Sequence, residues 1–140
     1  MREILFRGKT KSGEWGYGYY LRTEPYADYA IGVHSDWIVQ TAGQNGGFVC
    51  LRKKYAVDPY TVGQYTGLKD RNGKKIFEGD LLSFDGQIFN EEEGPGVVTY
   101  SPGEYVVIMQ ERCHSLSDLL GVGTVVGNIY DNPELMEAKE

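Results

Sequence analysis

Cys113 and His114 stand side by side, and Cys50 and His34 are the other thiol and imidazole of the chain. A thiol beside an imidazole can be a nucleophile with its base, and four such groups can ligate zinc. The spacing suits neither. Neighbours on a strand point to opposite faces, so adjacent side chains do not meet. Zinc ligands come as CxxC or HxxxH pairs, which this sequence lacks. The expected arrangement is a buried Cys113 and an exposed His114. Two cysteines this far apart read as reduced thiols of a cytoplasmic protein rather than as a disulfide framework.

Glu78 and Asp80 flank Gly79 and are the best-placed pair of carboxylates for acid–base work. Carboxylates in such a tight turn more commonly accept backbone N–H groups, and that is the role expected here. Asp70, Asn72 and Glu78 begin like a calcium loop, but Lys74 and Lys75 stand where an oxygen ligand and a glycine belong. Gly8-Lys9-Thr10 has the end of a P-loop, with Glu3 in place of its first glycine. Gly121, Gly123 and Gly127 are spaced one residue too long for a dinucleotide fingerprint and precede a strand. No catalytic residue, metal or cofactor is assigned from these motifs.

The remaining side chains with binding chemistry are aromatic and basic. Trp15, Tyr17, Tyr19 and Leu21 alternate with Gly16, Gly18 and Tyr20. That period of two predicts a strand with one aromatic face, expected to be a core face. The glycine face would admit another backbone or a ligand. Lys69, Arg71, Lys74 and Lys75 cluster around Asp70-Arg71-Asn72-Gly73. Asp suits the first turn position and glycine the one needing positive φ, so the segment is a hairpin tip. A two-residue Asn-Gly turn and a type I turn with a glycine bulge both satisfy the sequence. A charged, solvated turn is the plain reading of the four cations. The nucleic-acid reading has Tyr17, Tyr19 and Tyr20 stack on bases while these cations hold phosphates. The net charge of −6 opposes it.

The elements that would position these groups are short strands. With 19 glycines, 11 tyrosines and only 5 prolines, the composition favours strands and tight turns over long helices. Strands are expected at Ile4–Phe6, Glu14–Leu21, Ile31–Val33, Trp37–Gln40 and Phe48–Arg52. A loop over Pro25–Ala30 and a turn over Ala42–Gly47 separate them. Asp58-Pro59 marks a boundary, because the residue before proline is pushed to extended geometry. Beyond it come the central hairpin, then strands at Leu81–Phe84, Gly96–Tyr100, Tyr105–Gln110 and Thr124–Tyr130. An acidic loop carries Glu91, Glu92 and Glu93, a short helix is expected over His114–Leu120, and Pro133 can open a last helical turn. The fold class is mainly β, α+β at the margin. Short, strongly bent strands with one short helix suggest an SH3-like small barrel in the C-terminal half, with an N-terminal β-sheet extension. The expected organisation is an N-terminal lobe over residues 1–58 and a central hairpin plus barrel over 59–140, packed as one unit. The longest apolar run, Tyr105 to Met109, is too short to span a bilayer, and the charged N-terminus is no secretory signal.

The stretch VGQYTGLKDRNGKKIFEGDLL, residues 62–82, resembles the signature of the YopX family. Three other stretches agree: the start MREILFRG, the approach AVDPYTVGQYTG and the end VVGNIYDNPELME. The residues that carry the pattern are Gly63, Gln64, Tyr65, Gly67, Asp70, Asn72, Gly73, Glu78, Gly79, Asp80, Gly127 and Asn128. The resemblance implies a mostly-β fold and a cytoplasmic phage or prophage setting. It brings no catalytic residues, the family being one of uncharacterised function.

Three functions are weighed. The first is a non-catalytic binding or assembly module that self-associates, or meets a phage or host protein, through Trp15, Tyr17, Tyr19 and Tyr20. Aromatic residues anchor interfaces, and a mostly-β chain has sheet edges to cover. The second is single-stranded nucleic-acid binding through the tyrosines and the basic tip. The third is an enzyme using Glu78, Asp80 or His114.

Overall fold

The computed structural model describes residues 2–23, 36–45, 48–84, 94–119 and 121–136, with the side chains of 42–51 outside the description. The fold is mainly β, with antiparallel sheets and short 3-10 turns. The chain divides into two compact units, Met1–Gln64 and Tyr65–Glu140.

In the first unit, β1 (Phe6–Lys9) turns through Thr10–Glu14 into β2 (Trp15–Arg22). The turn is closed by Thr10 N–H donating to the Glu14 carbonyl at 2.8 Å. β2 pairs with β3 (Asp36–Asn45), and β3 pairs with β4 (Phe48–Ala56). The first two residues of β5 (Gly63–Lys69) pair along the free edge of β1. β1 begins at Phe6 rather than at Ile4. The turn expected over Ala42–Gly47 is narrower, because β3 and β4 stay paired out to Asn45 and Phe48. The expected loop at Pro25–Ala30 and strand at Ile31–Val33 lie outside the described residues.

The glycines of β1 and β2 sit against the chain itself. A Cβ on Gly8 would lie 2.9 Å from the Val57 side chain, and one on Gly16 would lie 2.7 Å from the Tyr55 ring. The bare face predicted for β2 is therefore filled from within, with Ile38 and Val57 fully buried. After β4, Asp58 accepts the Tyr60 N–H at 3.0 Å and caps a one-turn 3-10 helix over Pro59–Thr61, with Pro59 at its first position.

In the second unit the rest of β5 pairs with β6 (Lys75–Phe77) across the expected hairpin. Gly73 N–H donates to the Asp70 carbonyl at 3.0 Å and Asp70 N–H to the Lys74 carbonyl at 2.8 Å. Gly73 has φ +83° while Asn72 has no positive φ. This decides between the two turns: it is the type I turn followed by a glycine bulge. β7 (Asp80–Ser83), β8 (Gly96–Ser101), β9 (Glu104–Met109), β10 (Arg112–Ser115) and β11 (Thr124–Asn128) form an antiparallel sheet in the order β10-β9-β8-β7-β11. One face buries Leu82, Val98, Val107 and Met109 with Ile76, Phe84, Leu116 and Leu119. The buried strand residues of this cluster fall at alternate positions, and Leu81 and Val106, on the opposite face, are buried as well.

The expected barrel does not close among the described residues. β7 has neighbours on both sides, while β10 and β11 remain the two ends of the order. The helix expected over His114–Leu120 is only a 3-10 turn, Leu116–Leu119, because Arg112–Ser115 is drawn into β10 by pairing with β9. A second 3-10 turn covers Pro133–Met136.

Candidate binding face

Alternation along β2 sends Tyr17, Tyr19 and Leu21 to one face and Gly16, Gly18 and Tyr20 to the other. The predicted core face faces outward: Tyr17, Tyr19 and Leu21 are 44%, 54% and 46% exposed. The reason lies on the opposite side. Tyr20 turns inward, its ring 6.0 Å from that of Phe6, and its hydroxyl donates to the Asp36 carboxylate. Burial, then the bond to Asp36, pushes the Tyr20 hydroxyl above its ordinary pKa. Tyr20 is thus an anchor rather than a stacking residue. Trp15 is half-buried, with the Arg7 guanidinium 4.9 Å from its ring centroid.

Register extends the outward face across the sheet. Tyr19 is opposite Val39, and Val39 is opposite Lys54, so Lys54 lies on the same face as Tyr19. Leu21 is opposite Trp37 in the same way, and the Lys54 ammonium sits 5.0 Å from the Trp37 ring centroid. Between Lys53 and Leu51 the register slips: Gln40 pairs with Lys53 and Thr41 with Leu51, leaving Arg52 as the extra residue of a bulge. A bulge re-aims its extra side chain. Arg52 lines an open groove of about 660 Å³. The other walls are Arg2–Leu5, Gly18 and Tyr19 of β2, and Val39–Thr41 of β3. The Gln40 amide donates to the Tyr17 carbonyl at 2.8 Å and fixes that side of the groove. Arg52 and Lys54 did not stand out in the sequence, because their placement depends on strand register and on a bulge that no local motif announces; Arg2 precedes β1 and belongs to no motif.

The basic tip lies in the second unit, so the tyrosines and the four cations fall in different compact units. Lys69, Arg71 and Lys74 are exposed, and Lys75 is half-buried with its ammonium 5.4 Å from the Tyr65 ring centroid. The tip is held from inside by Asp70. Its Oδ1 accepts the Asn72 and Lys74 N–H groups at 2.8 and 2.9 Å, and its Oδ2 accepts the Val125 N–H at 3.0 Å. Burial alone would raise the Asp70 carboxyl, but the N–H donors of Val125, Lys74 and Asn72 and the Lys74 charge hold it below the usual carboxylate value.

The other motif residues also have structural work. Gly63 and Gln64 pair with Arg7 and Phe6. The Tyr65 ring packs 5.7 Å from Phe77, and Gly67 takes φ +85° where the β5–β6 register slips. Gly79 has φ +87°, donates to Val98 and accepts from Ile129. Asp80, 2% exposed, accepts the Phe77 N–H at 2.8 Å. Asn128 Oδ1 accepts the Tyr130 and Asp131 N–H groups, and a Cβ on Gly127 would strike the Asn132 side chain.

The groove lining contains none of Glu78, Asp80 and His114. Cys113 is exposed and His114 half-buried, the reverse of the expected arrangement. His114 pairs with fully buried Val107 on the core face of β9, whereas Cys113 pairs with exposed Ile108. Cys50's side chain and His34 lie outside the described residues. Among those residues no three His, Cys, Asp or Glu side chains gather as a metal site, and no helix is long and apolar enough to cross a membrane.

The family model for the YopX protein matches residues 21–137. That span holds the hairpin tip, the Gly79 turn and the Asn128 knot, and begins just after Tyr17 and Tyr19. Among solved structures, the crystal structure of protein EF1440 from Enterococcus faecalis is similar, with a TM-score of 0.63 and 25% identity. The match covers 98% of this chain and 100% of that one. No curated protein matches the chain.

Proposed function

The chain belongs to the YopX family, and on that premise we propose that it is a non-catalytic binding module of a phage or prophage, acting in the cytoplasm. The observation that carries this reading is the outward row Tyr17, Tyr19 and Leu21, presented on a strand that is paired on both sides. A row of large apolar side chains held by a sheet is pre-organised, so little ordering entropy opposes a partner. Asp80 favours the same reading, since its carboxylate accepts the Phe77 N–H. The strand order of the second unit, with a 3-10 turn before a last strand that returns to β7, supports reading that unit as an SH3-like module.

Self-association is the simplest use of the row, one copy facing another. Edge-to-edge pairing is the less favourable route. β4 ends its sheet but carries Arg52, Lys53 and Lys54, and β11 carries a bulge between Val125 and Gly127, both devices that blunt an edge. Exchanging Tyr17 and Leu21 for serine removes apolar surface without touching the interior. The expected result is an unchanged melting temperature, with concentration-dependent sedimentation of the unaltered chain reduced to monomer in the variant. If the unaltered chain sediments as a monomer at every concentration, the row does not serve self-association.

A further inference from the structure

The overall charge of −6 conceals a division. Residues 1–64 carry eight Lys and Arg against six Asp and Glu, a net of +2, while residues 65–140 carry six against fourteen, a net of −8. The acidity that argued against a phosphate-bearing ligand therefore belongs to the second unit. In the first, the outward face combines flat rings with cations. Tyr19 stands half-exposed at the groove, Arg2 and Arg52 line it with Glu3 as the one carboxylate among the lining residues, and Lys54 shares the face of Tyr19. Gln40 and Thr41 are the polar residues of β3 among the lining.

Resting on the reading of this face as the binding surface, we infer that the groove of the first unit binds single-stranded nucleic acid, with Tyr19 stacking on a base and Arg2 and Arg52 holding the flanking phosphates. Exposed rings beside a basic track are what an unpaired strand requires, since each base has a face to stack and each linkage carries a charge. A duplex hides its base faces, and the groove offers it no equivalent. The bulge at Arg52 has a use in this scheme: it sets a cation of β4 at the groove that Tyr19, two strands away on β2, also lines. The basic tip at Lys69, Arg71, Lys74 and Lys75 is not part of this site, because it belongs to the acidic unit.

The test is fluorescence anisotropy of a labelled oligodeoxythymidine, about 12 nucleotides long, titrated with the full chain at low salt, beside a duplex of equal length. The single strand is expected to bind, and binding to weaken with salt, the logarithmic slope near −1.4 if two phosphates are held, about 0.7 per contact. Tyr19→Ala is expected to weaken binding roughly tenfold, and Arg52→Ala to weaken it and flatten the slope. Lys74→Ala with Lys75→Ala is expected to leave it unchanged. Quenching of tyrosine emission by unlabelled strand reports on stacking without any variant. Absence of binding at low salt, equal binding of the duplex, indifference to Tyr19→Ala and Arg52→Ala, or loss of binding in the tip variant would each overturn the assignment. If the strand does not bind while Tyr17→Ser with Leu21→Ser still alters sedimentation, the nucleic-acid assignment falls and the binding-module reading stands. If neither responds, both fall.

Discussion

Asp70→Ala is expected to lower the stability of the chain by about 3 kcal/mol. One carboxylate accepts three backbone N–H groups, from Asn72, Lys74 and Val125, and is itself only 8% exposed. The first two bonds shape the tip, while the third ties the tip to β11, 55 residues further along the chain. Hydrogen bonds to a charged acceptor contribute about 1.5–3 kcal/mol each, and stranded buried donors add a desolvation penalty. Near the surface the Asn72 and Lys74 donors can recruit water, so the sum falls well short of three full bonds. For a chain of this size 3 kcal/mol corresponds to a fall in melting temperature of about 12 °C. Asp70→Asn separates the components. Its carbonyl oxygen can serve Asn72 and Lys74, but its amide sets a donor against the Val125 N–H, so an intermediate loss is expected. The pH dependence has a definite sign. The folded carboxyl is held below its ordinary value, so its contribution is complete at neutral pH and fades as the pH falls through the folded value, below about 3.8. The stability gap between the unaltered chain and Asp70→Asn should close over that acid range. A constant gap from neutral to strongly acidic pH would show that the carboxylate charge contributes nothing.

The tip was legible in the sequence because its determinants are local: Asp at the first position, glycine at the fourth, and strand-forming residues on either side. The contact of Asp70 with Val125 was not, since nothing in a turn motif names a partner 55 residues away. The same division runs through the candidate site. Alternation along Trp15–Leu21 correctly places Tyr17, Tyr19 and Leu21 together, but period alone does not say which face is covered. Tyr20 interrupts the glycine side of the pattern, and its bond to Asp36 with packing on Phe6 makes that side the inner one. Arg52 was invisible for a further reason, that its direction depends on a register slip between β3 and β4. The charge division was countable from the sequence, but only once the boundary after Gln64 was known. Strand alternation puts Cys113 and His114 on opposite faces, but which of them is exposed follows from the pairing of β10 with β9 rather than from the two residues themselves.

Gly18→Ala is expected to be as damaging as the loss of Asp70, though it adds one methyl group. The comparison with Gly73 shows why. Gly73 has φ +83° and nothing within 4 Å of where a Cβ would stand, so alanine there meets only backbone strain, about 1–2 kcal/mol. Gly18 has an ordinary backbone conformation, but its Cβ would fall directly on the Val39 carbonyl oxygen of the neighbouring strand, with the Gln40 side chain at 3.3 Å. A carbonyl in a paired strand cannot rotate aside as the end of a flexible side chain can. β3 must shift instead, and Val39 is the residue paired with Tyr19 in the β2–β3 ladder. Overpacking of this kind costs about 1–3 kcal/mol where side chains can give, and more where they cannot. A loss of at least about 3 kcal/mol is therefore expected, with amide protection falling first over Trp37–Val39 and Tyr19–Leu21. Because Gly18, Tyr19 and Val39 also line the groove, the same substitution should weaken strand binding even where the variant remains folded, whereas Gly73→Ala should leave binding untouched. A melting temperature for Gly18→Ala within about 2 °C of the unaltered chain, less than 1 kcal/mol, would mean that β2 and β3 are not held at this separation. The rigid display of Tyr17, Tyr19 and Leu21 would then lose its physical basis.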